Sequence, residues 1–310
     1  MQFTITSEHA KVRLDKFLTE HFPEMSRAHL QKLVKSGQVT VNGKKITPHH
    51  FLKESDEVEA VVEPVAELRV EPNPAVSFAV LHEEPDFIIV NKPAGLVVHQ
   101  GEGHKTPNTL INGLLARYPE IARVGDDTIR PGIVHRLDAD VSGVMVIART
   151  QDMFDLLKRQ FKMHTIEKEY VAVVYGAVSP ASGVIDFAIA RKGAKMVARA
   201  KGEEGKTAMT EYETIRPISH LGQIGPMTLL KIKIHTGRTH QIRVHLFALG
   251  YPILGDKLYR TKKAVDQRGE VAKRLMLHGR RLAFMDLKRE RREFIVEPPI
   301  EFTYHISRNT

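Results

Sequence analysis

The sequence predicts an α+β protein: a domain built on a mixed, largely antiparallel sheet, preceded by a small α/β unit. Three observations predict it. Beyond residue 85, strand-like runs outnumber helical ones, and they are of two kinds: continuous apolar runs such as "SGVMVIART" and alternating runs such as "LLKIKIHTG". The first fifty or so residues hold two helix patterns and a hairpin, enough for an independent unit. Between them, "EPVAELRVEPNPAV" is rich in Pro and Glu and reads as a linker. The expected boundaries are residues 1–62, a linker at 63–76, and a second domain at 77–310.

In the first unit, Leu14, Phe17 and Leu18 mark one helical face. Pro23 ends that helix and Ser26 caps the next. Leu30, Leu33 and Val34 then repeat at helical spacing until Gly37. "QVTVNGKKI" alternates, turns at Asn42-Gly43 and returns as a hairpin.

In the second domain "PDFIIVNKPAG" is an apolar strand ended by Lys92-Pro93. "SGVMVIART" is a continuous buried strand, and "QDMFDLLKRQFKMH" a helix with Phe154, Leu157 and Phe161 on one face. "KEYVAVVYG" is a strand. "LLKIKIHTG" points Leu230, Ile232 and Ile234 one way and Lys231, Lys233 and His235 the other. "THQIRVHLFALG" is a helix with Ile242, Leu246 and Leu249 inward and Gly250 past its end. No internal repeat or low-complexity tract is visible.

Hydrophobic content of 42% with 27% charged residues is ordinary for a globular chain. Cysteine is absent, which excludes disulfides, thiolate metal sites and a catalytic thiol. No stretch of about 18 apolar residues occurs, so the expected setting is the cytoplasm, away from membranes. The net charge of +9 favours a polyanionic partner. Lys257 to Arg292 holds 13 Lys/Arg against 4 Asp/Glu, and Arg27 to Lys45 five Lys/Arg and no acid. Two separated basic blocks point to nucleic acid.

"RPGIVHRLDADVSGVMV" places Asp138 and Asp140 ahead of a buried strand, with Arg130, His135 and Arg136 in front. On a strand the two acids would share a face roughly 7 Å apart, the separation of a glycosidase dyad. Arg136 opposes the raised pKa that one dyad member needs, and Asp140 by itself reads as a turn residue. His235, His240 and His245 recur every five residues, which scatters them around a helix and argues against a metal. There is no G-x-S-x-G elbow, and "GEGHKTPNT" lacks both the lysine directly after the final glycine and the strand–helix context of a P-loop. What remains is an ionised carboxylate among cations.

"SRAHLQKLVKSGQVTVNGK" resembles the S4 RNA-binding domain, which implies RNA contact through Arg27, Lys32, Lys35 and Lys44. "HRLDADVSG", "IHTGRTHQIRVHLFALGYPILGDKLY", "PDFIIVNKPAGLVVHQGEGH" and "EKEYVAVVYG" resemble the RluA-type family of pseudouridine synthases, and "LHGRRLAF" extends the match. With "RPGIVHR" and the S4-like unit in front, the likeness is greatest to the branch that modifies large-subunit ribosomal RNA. The resemblance implies Asp138 as the catalytic acid and Arg136 as the residue entering the RNA stem. It implies Tyr170 as the aromatic stacked on the flipped base, and Arg243 as the basic partner of the acid. Extrusion of a duplex uridine explains a wedge and an aromatic receiver. The chain departs from the family at Ala139 and Val141, where Lys and Thr are common around Asp140.

The expected activity is therefore isomerisation of uridine to pseudouridine in RNA, with large-subunit (23S) RNA as the favoured substrate, by a monomer that uses no cofactor and no metal. The rival is a non-catalytic S4-domain binding or ribosome-assembly factor that retains the fold. A carboxylate dyad would instead require Asp140 as much as Asp138.

Overall fold

A computed structural model describes residues 1–22, 25, 27–61, 70–100, 106–126, 128–193, 195–200, 203–218, 225–260 and 272–304. Contacts divide the chain into two units, Met1–Leu68 and Arg69–Thr310, a division that falls inside the Pro/Glu-rich stretch.

The first unit contains β1 (Gln2–Thr4), α1 (Leu14–His21), α2 (Arg27–Ser36), β2 (Val39–Val41), β3 (Lys44–Lys45) and β4 (Glu57–Ala60). Leu14, Phe17 and Leu18 from α1 and Leu30, Leu33 and Val34 from α2 are buried together against Val39, Val41 and Val58. The hairpin turns through Asn42 and Gly43, with φ of 51° and 69°, the pair of left-handed residues that a tight two-residue turn requires. Strands β1 and β4 complete a four-stranded sheet in the order β1-β4-β2-β3. The sequence pattern shows neither, because strands this short carry little periodicity. Pro23 and Ser26, read as helix stop and cap, lie outside the described residues.

The second unit is a nine-stranded sheet. Its strands in chain order are β5 (Ala79–Glu83), β6 (Phe87–Lys92), β7 (Ser142–Ala148), β8 (Glu167–Tyr175), β9 (Ser182–Ile185), β12 (Thr210–Ile218), β13 (Met227–Ile234), β14 (Leu277–Met285) and β15 (Arg291–Ile295). The spatial order is β5-β6-β7-β14-β8-β13-β12-β9, with β15 branching from β14. Every pairing is antiparallel except β7 with β14. A separate ribbon is formed by β10 (Ala188–Lys192) and β11 (Lys195–Arg199). The longer helices among the described residues are α3 (Leu110–Arg117), α4 (Gln151–Lys162) and α5 (Gln241–Ala248).

At β6 and β7 the sheet is buried on both faces, which is why these strands read as unbroken apolar runs. Ile88, Val90, Met145 and Ile147 join one core with Leu114 of α3 and Leu246 of α5. The alternate residues Phe87, Ile89, Val144 and Val146 join a second core with Met153, Phe154 and Leu157 of α4. Between Val70 and Val76, within the stretch read as linker, the Asn73 amide donates to the Asn112 carbonyl at 2.8 Å.

The single parallel pairing depends on a close backbone approach. Gly143, at φ 135°, faces Gly279 across the β7–β14 pair. A methyl on Gly143 would sit on the Gly279 carbonyl oxygen, 2.5 Å from its nitrogen and 2.6 Å from its Cα. Gly143→Ala is expected to cost at least about 3 kcal/mol, by backbone strain added to overpacking. The urea midpoint against wild type reads this directly.

Four arginines of the Lys257–Arg292 block, Arg280, Arg281, Arg291 and Arg292, are ion-paired within the protein. Arg280 pairs with Glu169 at 3.1 Å and Glu297 at 3.0 Å, and Arg281 with Glu167 and Glu293, each at 2.9 Å. Arg292 reaches Glu84 at 2.6 Å. The fold brings Glu84, Glu167 and Glu169 from distant segments, which a linear charge count does not anticipate. Residues 261–271 of the block lie outside the described residues.

Candidate active site

Strand β7 begins immediately after a short irregular segment, and this places Asp138 at the sheet's edge of a cleft. The amide of Val141 donates to the Asp138 carbonyl at 3.1 Å, closing a turn through Ala139 and Asp140. Lys92, fully buried at the end of β6, fastens this turn from below. Its ammonium donates to the carbonyls of Pro93 at 2.9 Å, Leu96 at 2.6 Å and Ala139 at 2.8 Å. Burial draws the Lys92 pKa down to about 7, while Asp138 and Asp140 act in the opposite direction. The three carbonyls match the three donors of an ammonium and also favour the proton.

This explains the two departures from the family pattern. Ala139 acts through its carbonyl, which also accepts from the Gly95 amide at 2.8 Å. Val141 is buried in the core. Neither position needs the side chain that is common in the family. Asp140 is exposed and does not line the cleft, so the two carboxylates do not form a dyad on a shared strand face.

Arg243 sits in the first turn of α5. Gln241 anchors that turn: its side-chain oxygen accepts from the Thr236 hydroxyl at 2.7 Å and the Arg238 amide at 3.0 Å. Arg243 is buried, although on helical pattern alone it reads as a surface residue. Its Nε and Nη2 donate to the two oxygens of Asp256 at 2.8 and 2.9 Å, and its Nη1 donates to Asp138 Oδ2 at 3.1 Å. Burial opposes the guanidinium charge, but the carboxylates of Asp256 and Asp138 outweigh it and raise the pKa. The fork is thus locked on one carboxylate and offers its remaining edge to the other. The Tyr259 ring lies beneath it, 5.2 Å from the guanidinium carbon.

His240 caps α5 in a left-handed conformation, φ 57°, with Nε2 3.8 Å from Asp138 Oδ2. Its Nδ1 meets the Tyr259 hydroxyl at 2.9 Å, and that hydroxyl also accepts from the Met196 amide at 3.1 Å. Burial lowers the His240 pKa against the pull of Asp138.

Tyr170 enters the same cleft from β8, half-buried against the core. Burial and the Asp138 charge raise its pKa, so it remains a neutral phenol. Arg136 is exposed on the cleft wall. His135, counted from sequence among the potential cations, is instead a neutral wall residue. It accepts from the Val146 amide at 3.1 Å, stacks on Phe161 at 4.7 Å, and burial pushes its pKa down.

The cleft has a volume of about 560 Å3. Its lining carries five Lys/Arg side chains (Arg136, Lys162, Lys168, Arg238 and Arg243) and one carboxylate, Asp138. A cavity of this balance admits an anionic ligand and presents it with one fixed acid and an aromatic ring. Asp138, Arg136, Tyr170 and Arg243, widely separated in sequence, are therefore brought together. Lys35 and Lys44 are exposed in the first unit, whereas the side chains of Arg27 and Lys32 lie outside the described residues. Among the described residues no group of three or more His, Asp or Glu side chains is placed to hold a metal.

Similarity to known proteins decides the family. The model for RNA pseudouridylate synthase matches residues 86–248, the span holding Asp138, Tyr170 and Arg243, and the S4 domain matches residues 12–58. The chain belongs to the RNA pseudouridylate synthase family. The synthase is 41% identical to an uncharacterized RNA pseudouridine synthase of Aquifex aeolicus, over 85% of this chain and 81% of that one. It is 37% identical to the ribosomal large subunit pseudouridine synthase D of Xylella fastidiosa, over 90% of this chain and 80% of that one. Human RNA pseudouridylate synthase domain containing 1 superposes with a TM-score of 0.59 at 26% identity, covering 74% of this chain and 87% of that structure. The synthase is an enzyme that isomerises uridine to pseudouridine in RNA.

Asp256, Tyr259, Lys92 and Lys168 escape a reading of the sequence as site residues. Asp256 and Lys92 lie inside the motifs "ILGDKLY" and "NKPAG", but nothing in local spacing shows that they touch Arg243 or the Asp138 turn.

Proposed function

We propose that the synthase modifies uridines of large-subunit ribosomal RNA, with Asp138 as its catalytic carboxylate. The observation that carries this reading is the Asp138–Arg243–Asp256 arrangement, one acid held by a guanidinium that a second acid has already locked. The reaction breaks the bond from N1 of the uracil to the sugar and forms a bond from C5 to the same carbon. The C5 proton leaves and N1 gains one, so the sum is an isomerisation with no redox change and no need of a cofactor or metal. Attack on the sugar, attack on the ring and removal of a sugar proton all start from an ionised carboxylate, and Arg243 complements that form. Tyr170 receives the extruded uracil on its ring, and Arg136 fills the space it leaves.

The relatives named for the large ribosomal subunit and the S4 domain support ribosomal RNA as substrate. The working unit in this reading is a monomer acting on RNA in the cytoplasm. Among the described residues no helix is long and apolar enough to cross a membrane. Incubation with unmodified large-subunit transcript labelled with tritium at uracil C5 is expected to release tritium to water. Matching reverse-transcription stops after carbodiimide treatment are expected at the same RNA. Absence of both, on naked RNA and on assembling subunits alike, would overturn the assignment.

The S4 unit has a separable expectation. Lys35→Glu and Lys44→Glu should each weaken RNA binding and flatten its salt dependence by roughly one unit of log–log slope, leaving turnover at saturating RNA unchanged. Filter binding at salt concentrations from about 50 to 200 mM, paired with saturating kinetics, checks it.

A further inference from the structure

Strand β8 alternates acid and non-acid residues at the cleft: Glu167, Lys168, Glu169, Tyr170. Alternation puts Glu167 and Glu169 on one face and Lys168 and Tyr170 on the other. Both glutamates are taken by arginines from the neighbouring strands: Glu167 by Arg281 and Arg291, each at 2.9 Å, and Glu169 by Arg280 at 3.1 Å. Lys168 is therefore flanked by acids in sequence and separated from them in space. Among the described residues it has no ion-pair partner, and its ammonium lies 5.8 Å from the centre of the Phe161 ring. Burial lowers its pKa to about 8, and no acid counters the shift. Asp138 is already engaged with Arg243.

A half-buried cation with no anion is costly, and at a cleft it points to an anion supplied by the ligand. Lys168 lies two residues before Tyr170 on the same face, with Lys162 and Arg136 lining the same cleft. We propose that Lys168 is the positioning residue that binds a phosphate of the nucleotide entering the cleft, fixing that nucleotide while its base packs on Tyr170. The inference rests on the reading of RNA as the ligand of this cleft.

Lys168→Met keeps the stem over Phe161 and removes the charge, and Lys168→Gln is a second variant should the first fail to fold. The expected result is a KM for RNA raised roughly tenfold, the effect of one charge-assisted contact. The rate at saturation should stay within about twofold, and the log–log slope of Kd against salt should fall by about 0.7 to 0.9. Lys168→Arg should restore the slope. An unchanged slope, or a fall in kcat at unchanged KM, would overturn the proposal, because a side chain that merely props Phe161 leaves the slope alone. If wild type released no tritium from any RNA offered, the reaction assignment would fail, and the slope comparison would still decide whether Lys168 contacts a phosphate.

Discussion

Asp138→Asn is expected to lower the turnover number by at least about 1,000-fold while leaving the protein folded and bound to RNA. The chemistry sets the first half of that result. An amide neither attacks as an anion nor takes a proton at neutral pH, so every route from uridine to pseudouridine loses its acid. The geometry sets the second half. Arg243 keeps both of its bonds to Asp256 when Asp138 is neutralised, and the amide oxygen of an asparagine still accepts from Nη1. Asp138 has a side chain 18% exposed, so no buried charge is stranded by the change. Single-turnover tritium release, with Kd from filter binding and the thermal midpoint beside it, tests all three parts. Activity within about tenfold of wild type would remove Asp138 from the chemistry. Asp140→Ala provides the contrast: its side chain is exposed and outside the cleft, and the turn it occupies is held by backbone bonds, so near-normal turnover is expected. Equal losses at both positions would restore a dyad.

How far the sequence foretells this site depends on the range of the interaction that each residue makes. Elements governed by local pattern are legible: the buried runs of β6 and β7, the alternation of β13, the apolar faces of α1 and α4, and the Asn42-Gly43 turn. Strands β1 and β4 are not, because three or four residues carry no usable period and their partners lie across the unit. At the site, motif resemblance locates Asp138, Tyr170 and Arg243, but residue pattern alone assigns Tyr170 to a core edge and Arg243 to a surface. The first reading holds as far as it goes, since Tyr170 packs against the core, and the second misleads, since Arg243 is buried. A half-buried or ion-paired polar residue at the wall of a cleft looks, in one dimension, like a residue at the edge of a core. The cationic block after Lys257 shows another limit of a linear reading. Arg280, Arg281 and Arg291 count towards that cationic surface until the β8, β14 and β15 pairings bring Glu167, Glu169 and Glu293 against them. Lys168 is visible only after that subtraction, as a cation that sheet pairing leaves without an acid.

Asp256→Ala is expected to produce the largest loss of stability among the site variants, about 3 to 5 kcal/mol, with activity falling alongside it. Arg243 and Asp256 are 6% and 5% exposed, so the carboxylate cannot be replaced by bulk water at little cost. Removal strands a buried guanidinium with one remaining carboxylate, that of Asp138. It also deprives the Leu258 and Tyr259 amides, which donate to Asp256 Oδ1 at 2.8 and 2.9 Å, of their partner. The segment carrying Tyr259 then loses its tie to the floor of Arg243 and to His240. Asp256→Asn separates the two effects. It keeps one oxygen and the volume but gives up the charge and one acceptor, so a smaller stability loss is expected with a clear fall in kcat, since Arg243 is freed to draw Asp138 out of place. Urea unfolding and tritium release on the same preparations measure both quantities. A stable Asp256→Ala protein with normal kcat would mean that Arg243 holds Asp138 without a second acid behind it. In that case the locked fork would not be what orients Asp138.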